Sequence, residues 1–164
     1  MLFLGGLAIG WPASWERVPG GFVPGGFERS VGAPNVDAAR WAANVLGPGH
    51  RISGPFMDFI LMGTLGNQNP VQGVAPLFYA KSFTPATAGL VKQASLRYVV
   101  VDRRLTQALP ASGSYFPQDP RSGQLTKPLS PQTIAKFNQV AGVSRVYDGG
   151  NIMVYDLQGS RYAS

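Results

Sequence analysis

The spacing of hydrophobic and polar residues changes along the chain, and each change predicts a separate structural element. Apolar residues recur at i, i+3, i+4 and i+7 from Ala38, which is the spacing of one helical face. Asn35 is a suitable N-cap, and Gly47 followed by Pro48 is a usual helix end. The pattern therefore predicts a helix over 35–46.

Shorter apolar runs follow this helix. Residues 50–54 and 69–73 are candidates for short strands, and 97–102 is an unbroken β-branched run typical of a strand buried on both faces. The run at 57–66 fits either a strand or a buried helix, and a short helix ending at Gly66 is favoured.

Two pairs of residues mark further helix starts. Thr84 and Ser130 each precede a proline, the arrangement expected of an N-cap followed by the first helical residue. Helices are therefore predicted from Thr84 to about Ser95 and from Ser130 to about Gln139. The chain then ends in a predicted hairpin, with strands at 143–148 and 151–157 joined by two glycines.

Helices that alternate with strands predict an α/β fold. We expect a small three-layer sandwich with a mostly parallel sheet and a C-terminal antiparallel hairpin. Residues 106–129 are rich in Pro, Gly and Ser and predict a long ordered loop, a class that is commonly functional.

The first residues are apolar and uncharged but too few to cross a membrane, which takes about 20 residues. Two interpretations stay open for 1–12: the end of a transmembrane helix that begins before Met1, or an apolar N-terminal segment. A Gly/Pro-rich linker is expected over 13–34, one α/β domain over 35–158 and a short tail over 159–164.

Composition narrows the possible functions. The chain has 164 residues, of which 45% are hydrophobic and only 13% charged, so a disordered charged tail is excluded. The net charge of +6 comes from scattered residues and forms no basic stripe, which argues against a nucleic-acid partner. Cysteine is absent, which excludes disulfides and thiolate sites.

Common catalytic signatures are also missing. No GxGxxG, Gly-Lys or GxSxG sequence occurs, so no dinucleotide site, phosphate loop or nucleophile elbow is expected. His50 is the single histidine and precedes a predicted strand, on the side away from the usual crevice of a parallel sheet. We therefore expect no cofactor, no metal and no catalytic residue.

Polar residues nevertheless follow two of the predicted strands. Asp58 and Asp102 should meet at the carboxyl edge of the sheet, where open α/β folds bind ligands. Arg103 and Arg104 come next and can grip a phosphate or carboxylate through paired hydrogen bonds. The alternative is that Asp102 caps the turn and that the arginines are solvated or pair with nearby carboxylates.

The long loop carries two adjacent aromatic residues. Tyr115 and Phe116 are candidates for stacking on a sugar ring above that edge. The alternative is that both rings pin the loop to the domain.

Several blocks of the sequence together resemble the extracytoplasmic C-terminal region of bacterial polytopic glycosyltransferases. These enzymes take sugar from a polyprenyl-phosphate donor and are related to protein mannosyltransferases and oligosaccharyltransferases. The blocks are ERVPG (16–20), ARWAANVLGPGHRI (39–52), LRYVVVDRRL (96–105), GSYFPQDP (113–120) and KFNQVAGVSRVYDGGNIMVYDL (136–157).

This resemblance implies an accessory domain on the extracytoplasmic face of the bacterial plasma membrane, joined to a transmembrane portion of the same polypeptide. It implies a glycan acceptor or a lipid-phosphate sugar as possible partners. It carries over no catalytic residue, because the family's catalytic carboxylate lies on a loop between transmembrane helices. The alternatives are a free carbohydrate- or ligand-binding module and, least favoured, an independent hydrolase.

Overall fold

The computed structural model describes residues 21–159, so the predictions for 1–12, for 13–20 and for 160–164 lie outside the described residues. Its α-helices and strands, in chain order, are α1 (Ala33–Trp41), β1 (Arg51–Ser53), α2 (Phe56–Thr64), β2 (Asn69–Pro70), α3 (Ala75–Tyr79), α4 (Pro85–Gln93), β3 (Tyr98–Asp102), α5 (Pro131–Ala135), β4 (Ser144–Asp148) and β5 (Ile152–Asp156). A π-helical turn over Ala42–Leu46 extends α1, and short 3₁₀ helices span Phe27–Ser30, Arg103–Thr106 and Lys136–Asn138.

The five strands form one sheet in the order β2-β1-β3-β5-β4. β1 is parallel to both β2 and β3, whereas β5 is antiparallel to its neighbours β3 and β4. Four strands therefore run in one direction and only β5 opposes them, which confirms a mostly parallel sheet with an antiparallel C-terminal hairpin.

Alternate residues of β3 face two separate hydrophobic cores. Val99 and Val101 belong to the core shared with α3, α4, the 3₁₀ helix after α5 and the long loop. Tyr98 and Val100 belong to the core shared with α1 and α2. Because every residue of β3 is buried, the strand lies in the middle layer of a three-layer α/β sandwich, as predicted.

Helix caps explain where several helices begin. The Thr84 hydroxyl accepts the amide N–H of Thr87, and the Ser130 hydroxyl accepts that of Gln132, as expected of N-caps. The first helix begins at Ala33, two residues earlier than predicted, because a proline such as Pro34 is compatible with the first turn of a helix. Asn35 therefore lies inside the first turn rather than before it. The one-and-a-half-turn helix α3 was not predicted, since Ala75 to Tyr79 is too short to show a helical period.

Residues 21–34 fall in the stretch predicted as a linker, yet they contact the long loop. The Ala111 amide donates to Pro24 O (2.8 Å), and the Ser112 amide donates to Gly25 O (3.1 Å). Gly25 has a φ of +60°, and a Cβ there would lie 2.8 Å from Pro110 Cβ. Only glycine fits this close approach, which joins the two segments above the carboxyl edge of the sheet.

Candidate functional site

Four polar side chains meet at the carboxyl edge of β1 and β3. Asp58 lies in the first turn of α2, Asp102 ends β3, and Arg104 is the second residue of the 3₁₀ helix that follows. Asn35 of α1 connects them: its Nδ2 donates to Asp58 Oδ1 (2.7 Å), and its Oδ1 accepts from Arg104 Nη2 (2.8 Å). We call these four residues the edge cluster, and all four are buried.

The arginine and aspartate of the edge cluster form a paired ionic contact. Arg104 Nη2 lies 2.7 Å from Asp102 Oδ2, and Arg104 Nε lies 2.9 Å from Asp102 Oδ1. The backbone N–H of Arg104 also donates to Asp102 Oδ1 (2.9 Å), so the aspartate caps the 3₁₀ helix. The ring of Phe22 covers the guanidinium at 3.7 Å. The Nε and Nη2 donors of this arginine are therefore directed at partners within the domain.

Asp58 is a buried carboxyl with a neutral partner. Burial and the nearby charge of Asp102 raise its pKa from 3.8 to about 7, against smaller lowering effects of Asn35 and Arg104. Its proton affinity is therefore much higher in the folded chain than in the unfolded chain. The protonated carboxyl therefore stabilises the fold fully at a pH below the unfolded pKa. This stabilisation is lost as the pH rises through the folded pKa.

The substitution Asp58→Asn should remove this pH dependence. Because the amide cannot ionise, Asp58→Asn should lack the loss of stability, on the order of 4 kcal/mol, that ionisation of Asp58 causes in the unsubstituted chain between about pH 4 and about pH 8. Urea unfolding of both chains across this range measures the difference. Parallel pH profiles of the two chains would contradict a raised pKa at Asp58.

Arg103 lies apart from the edge cluster. Its side chain is half exposed, and Nη2 is 4.0 Å from Asp148 Oδ2, on the adjoining hairpin. Arg145 Nη1 approaches the same carboxylate oxygen at 2.8 Å. The structure therefore brings Asp58, Asp102 and Arg104 together and places Arg103 outside them.

Tyr115 and Phe116 lie in the hydrophobic core rather than facing solvent. Only 1% of Tyr115 and 3% of Phe116 is exposed. The Tyr115 hydroxyl donates to Ala108 O (2.5 Å), and Phe116 stacks on Phe78 of α3 with ring centroids 4.6 Å apart. Both rings therefore anchor the long loop to the domain, which is the predicted alternative to stacking on a sugar ring.

An open cavity of about 300 Å³ lies next to the edge cluster, between residues 25–30 and the long loop. Phe27 and Phe56 form part of its wall, with ring centroids 6.1 Å apart in an edge-to-face arrangement. Ser30 and Phe56 also line a much smaller cavity that reaches Asp58 and Asp102. We call the larger space the Phe27–Phe56 cavity.

The opposite wall of this cavity comes from the long loop. The Asp119 carboxylate accepts the Tyr79 hydroxyl, the Ser114 hydroxyl (3.1 Å) and the Arg121 amide (2.9 Å). Those bonds hold the turn that carries Gln118, which is another lining residue. The loop is thus ordered by its own polar contacts and by the two buried aromatic rings.

Sequence reasoning did not find the residues that complete this region. Asn35 was interpreted as a helix cap, and nothing in its sequence context indicates that it joins Asp58 to Arg104. Phe27 and Phe56 carry no period or motif, because the first falls in a Gly/Pro-rich stretch and the second at a helix start. Phe27, Phe56 and Gln118 meet only because the loop folds back over the sheet.

Other titratable groups lie away from this edge. His50 stands at the opposite end of β1, where Nε2 is 2.7 Å from Leu46 O and the ring meets Tyr98 edge to face. Lys136 is buried, and its Nζ donates to Ala80 O and Thr133 O, both at 2.8 Å. These bonds join the ends of α3 and α5, and they leave the buried ammonium group no room to contact a ligand.

Residues 21–159 contain neither a cluster suited to a metal ion nor a helix suited to crossing a membrane. No cluster of three histidine, cysteine, aspartate or glutamate side chains there has the geometry to hold a metal ion. None of the helices in that same stretch has the length and apolar character needed to span a bilayer.

Comparisons with known proteins identify a similar fold. No protein-family model and no curated protein sequence matches the chain. A solved structure that it resembles is the C-terminal globular domain of an oligosaccharyltransferase from Archaeoglobus fulgidus, with a TM-score of 0.54 and 15% sequence identity. The match covers 77% of this chain and 98% of that one. The chain therefore shares the fold of that globular domain.

Proposed function

We propose that the chain is an extracytoplasmic accessory domain of a membrane-embedded glycosyltransferase, on the outer face of a bacterial plasma membrane. In this proposal the domain is joined to a transmembrane portion of the same polypeptide and does not catalyse sugar transfer alone. The single observation that carries the proposal is the fold shared with the oligosaccharyltransferase domain over nearly the whole of that domain.

The arrangement of polar residues supports an accessory role. Glycoside hydrolysis commonly uses two carboxylates placed on either side of the reacting bond. In the edge cluster, Asp102 is bound to Arg104, and Asp58 is buried against Asn35. Neither carboxyl is free to act on a substrate, and the cluster instead ties α1, α2 and β3 together.

The sequence resemblance supports the same proposal independently of the fold. Its blocks extend from the predicted linker to β5, and the fold comparison likewise covers most of the described domain. The expected partners are a glycan acceptor or a polyprenyl-phosphate sugar held by the complete enzyme. A free-standing carbohydrate-binding module is the second candidate, favoured by the Phe27–Phe56 cavity.

Cell fractionation distinguishes the two candidates. An antibody raised against the purified chain should detect, in cells of the source organism, a polypeptide much larger than 164 residues that resists alkaline extraction from membranes. The purified chain itself should neither transfer nor hydrolyse sugar from a polyprenyl-phosphate donor. Detection of the antigen only as a free soluble protein, or turnover by the purified chain, would contradict the proposal.

A further inference from the structure

Exposed aromatic rings are concentrated at one place on the described domain. Phe27 is 54% exposed and Phe56 is 37% exposed, and no other aromatic side chain of residues 21–159 is among the exposed large hydrophobic groups. Both rings line the Phe27–Phe56 cavity. Apolar surface left in water costs free energy, so two adjacent exposed rings in a concave site indicate a surface that a ligand covers.

Unusual backbone conformations occur at the same cavity. Phe27 and Gln118 have φ values of +49° and +50°, a region that bulky side chains rarely adopt. The other two non-glycine residues with positive φ within 21–159, Asn67 and Ser95, lie just beyond the ends of α2 and α4, where a left-handed residue is usual. Phe27 and Gln118 follow no helix, and both residues line the cavity.

The polar groups of the cavity select an uncharged ligand. Neither the Gln118 amide nor the Ser122 hydroxyl has a hydrogen-bond partner within the described residues, so both are available to a ligand. Asp119 is the one carboxylate in the lining, which includes no lysine or arginine. A phosphate or carboxylate ligand would therefore meet no cation there, whereas hydroxyl groups would meet amide and hydroxyl partners.

The size of the cavity limits the ligand further. At about 300 Å³ it lies at the lower end of the range for small-molecule sites, roughly 300 to 1,000 Å³. One sugar ring fits these dimensions and this chemistry, because it presents apolar C–H groups on its faces and hydroxyls around its edge.

We propose that the Phe27–Phe56 cavity binds one uncharged sugar ring, with a C–H face against the aromatic pair and hydroxyls toward Gln118 and Ser122. The position of the site follows from the cavity itself. The choice of a sugar among uncharged ligands also rests on the proposed function.

A titration of the ¹⁵N-labelled 164-residue chain tests this proposal by NMR, with the methyl glycosides of mannose, glucose and galactose as probes. We expect at least one glycoside to give saturable shifts centred on the amides of Phe27, Phe56, Gln118 and Ser122, with a dissociation constant in the millimolar range usual for so small a ligand. Phe27→Ala and Gln118→Ala should each weaken that binding about tenfold.

Two control variants test whether a loss of glycoside binding is specific to the cavity residues. Val45→Ala changes an exposed apolar side chain and Gln132→Ala an exposed amide, both away from the cavity, and neither should change the affinity. Absence of saturable shifts with all three glycosides, or shifts that survive both cavity substitutions, would overturn the proposal. Tighter binding of an uncharged tripeptide at the same amides would overturn the choice of a sugar. These outcomes leave the membrane fractionation result unchanged, so the two proposals fail separately.

Discussion

Val100→Asp is expected to leave the domain unfolded under conditions in which the unsubstituted chain is folded. Val100 is fully buried at the centre of β3, paired with Val154 of β5. It faces the core formed with α1 and α2. An unpaired carboxylate there costs several kcal/mol, about as much as the lower end of the total stability of a domain, roughly 5 kcal/mol. Far-UV circular dichroism and the dispersion of amide NMR signals report the loss of the fold.

Val146→Asp is the matched control for that substitution. Val146 is also in a strand, but it lies in the edge strand β4, is 38% exposed and sits where the pairing with β5 is irregular. The same carboxylate there stays in water and should change the unfolding free energy by less than about 1 kcal/mol. Equal unfolding midpoints for the two variants would contradict the assignment of β3 as the buried central strand.

Arg104→Ala is expected to destabilise the domain by about 3 to 5 kcal/mol, because it leaves the buried Asp102 carboxylate without its ionic partner. It also removes the donor to Asn35. Arg103→Ala is the neighbouring control, since its half-exposed side chain meets Asp148 only at 4.0 Å and should contribute less than about 1 kcal/mol. Denaturant unfolding of the two variants measures the difference.

A double substitution keeps this prediction testable if Arg104→Ala fails to fold. Asp102→Asn combined with Arg104→Met removes both charges and should be more stable than Arg104→Ala, because no uncompensated charge stays buried. An Arg104→Ala variant as stable as Arg103→Ala would show that the edge cluster contributes little to the fold. A double variant less stable than Arg104→Ala would contradict the ionic explanation.

Much of the fold could be predicted because its signals are local. The β-branched run of β3, the Thr84 and Ser130 caps and the two glycines of the hairpin each act over a few residues. The same reasoning placed Asp58 and Asp102 at one edge of the sheet, since the carboxyl ends of parallel strands lie together. The structure has them there, although they are joined through Asn35 and Arg104 rather than directed at an open crevice.

The residues that depend on long-range contacts could not be predicted. Whether Tyr115 and Phe116 face a ligand or the core depends on how the long loop crosses α3, and the composition of the loop does not encode that path. The cavity arises for the same reason, because residues 24–30 and the loop meet through loop amides that donate to the carbonyl oxygens of Pro24 and Gly25. Ligand binding by the six residues predicted from the sequence stays a prediction.

The most direct test of the proposed function is immunocapture from detergent-solubilised membranes of the source organism, with an antibody against the described domain. The captured polypeptide should transfer sugar from a polyprenyl-phosphate donor to an endogenous acceptor, while the purified 164-residue chain shows no transfer. Captured material that contains this domain but carries no transfer activity above a mock capture would contradict the account, as would transfer by the purified chain alone.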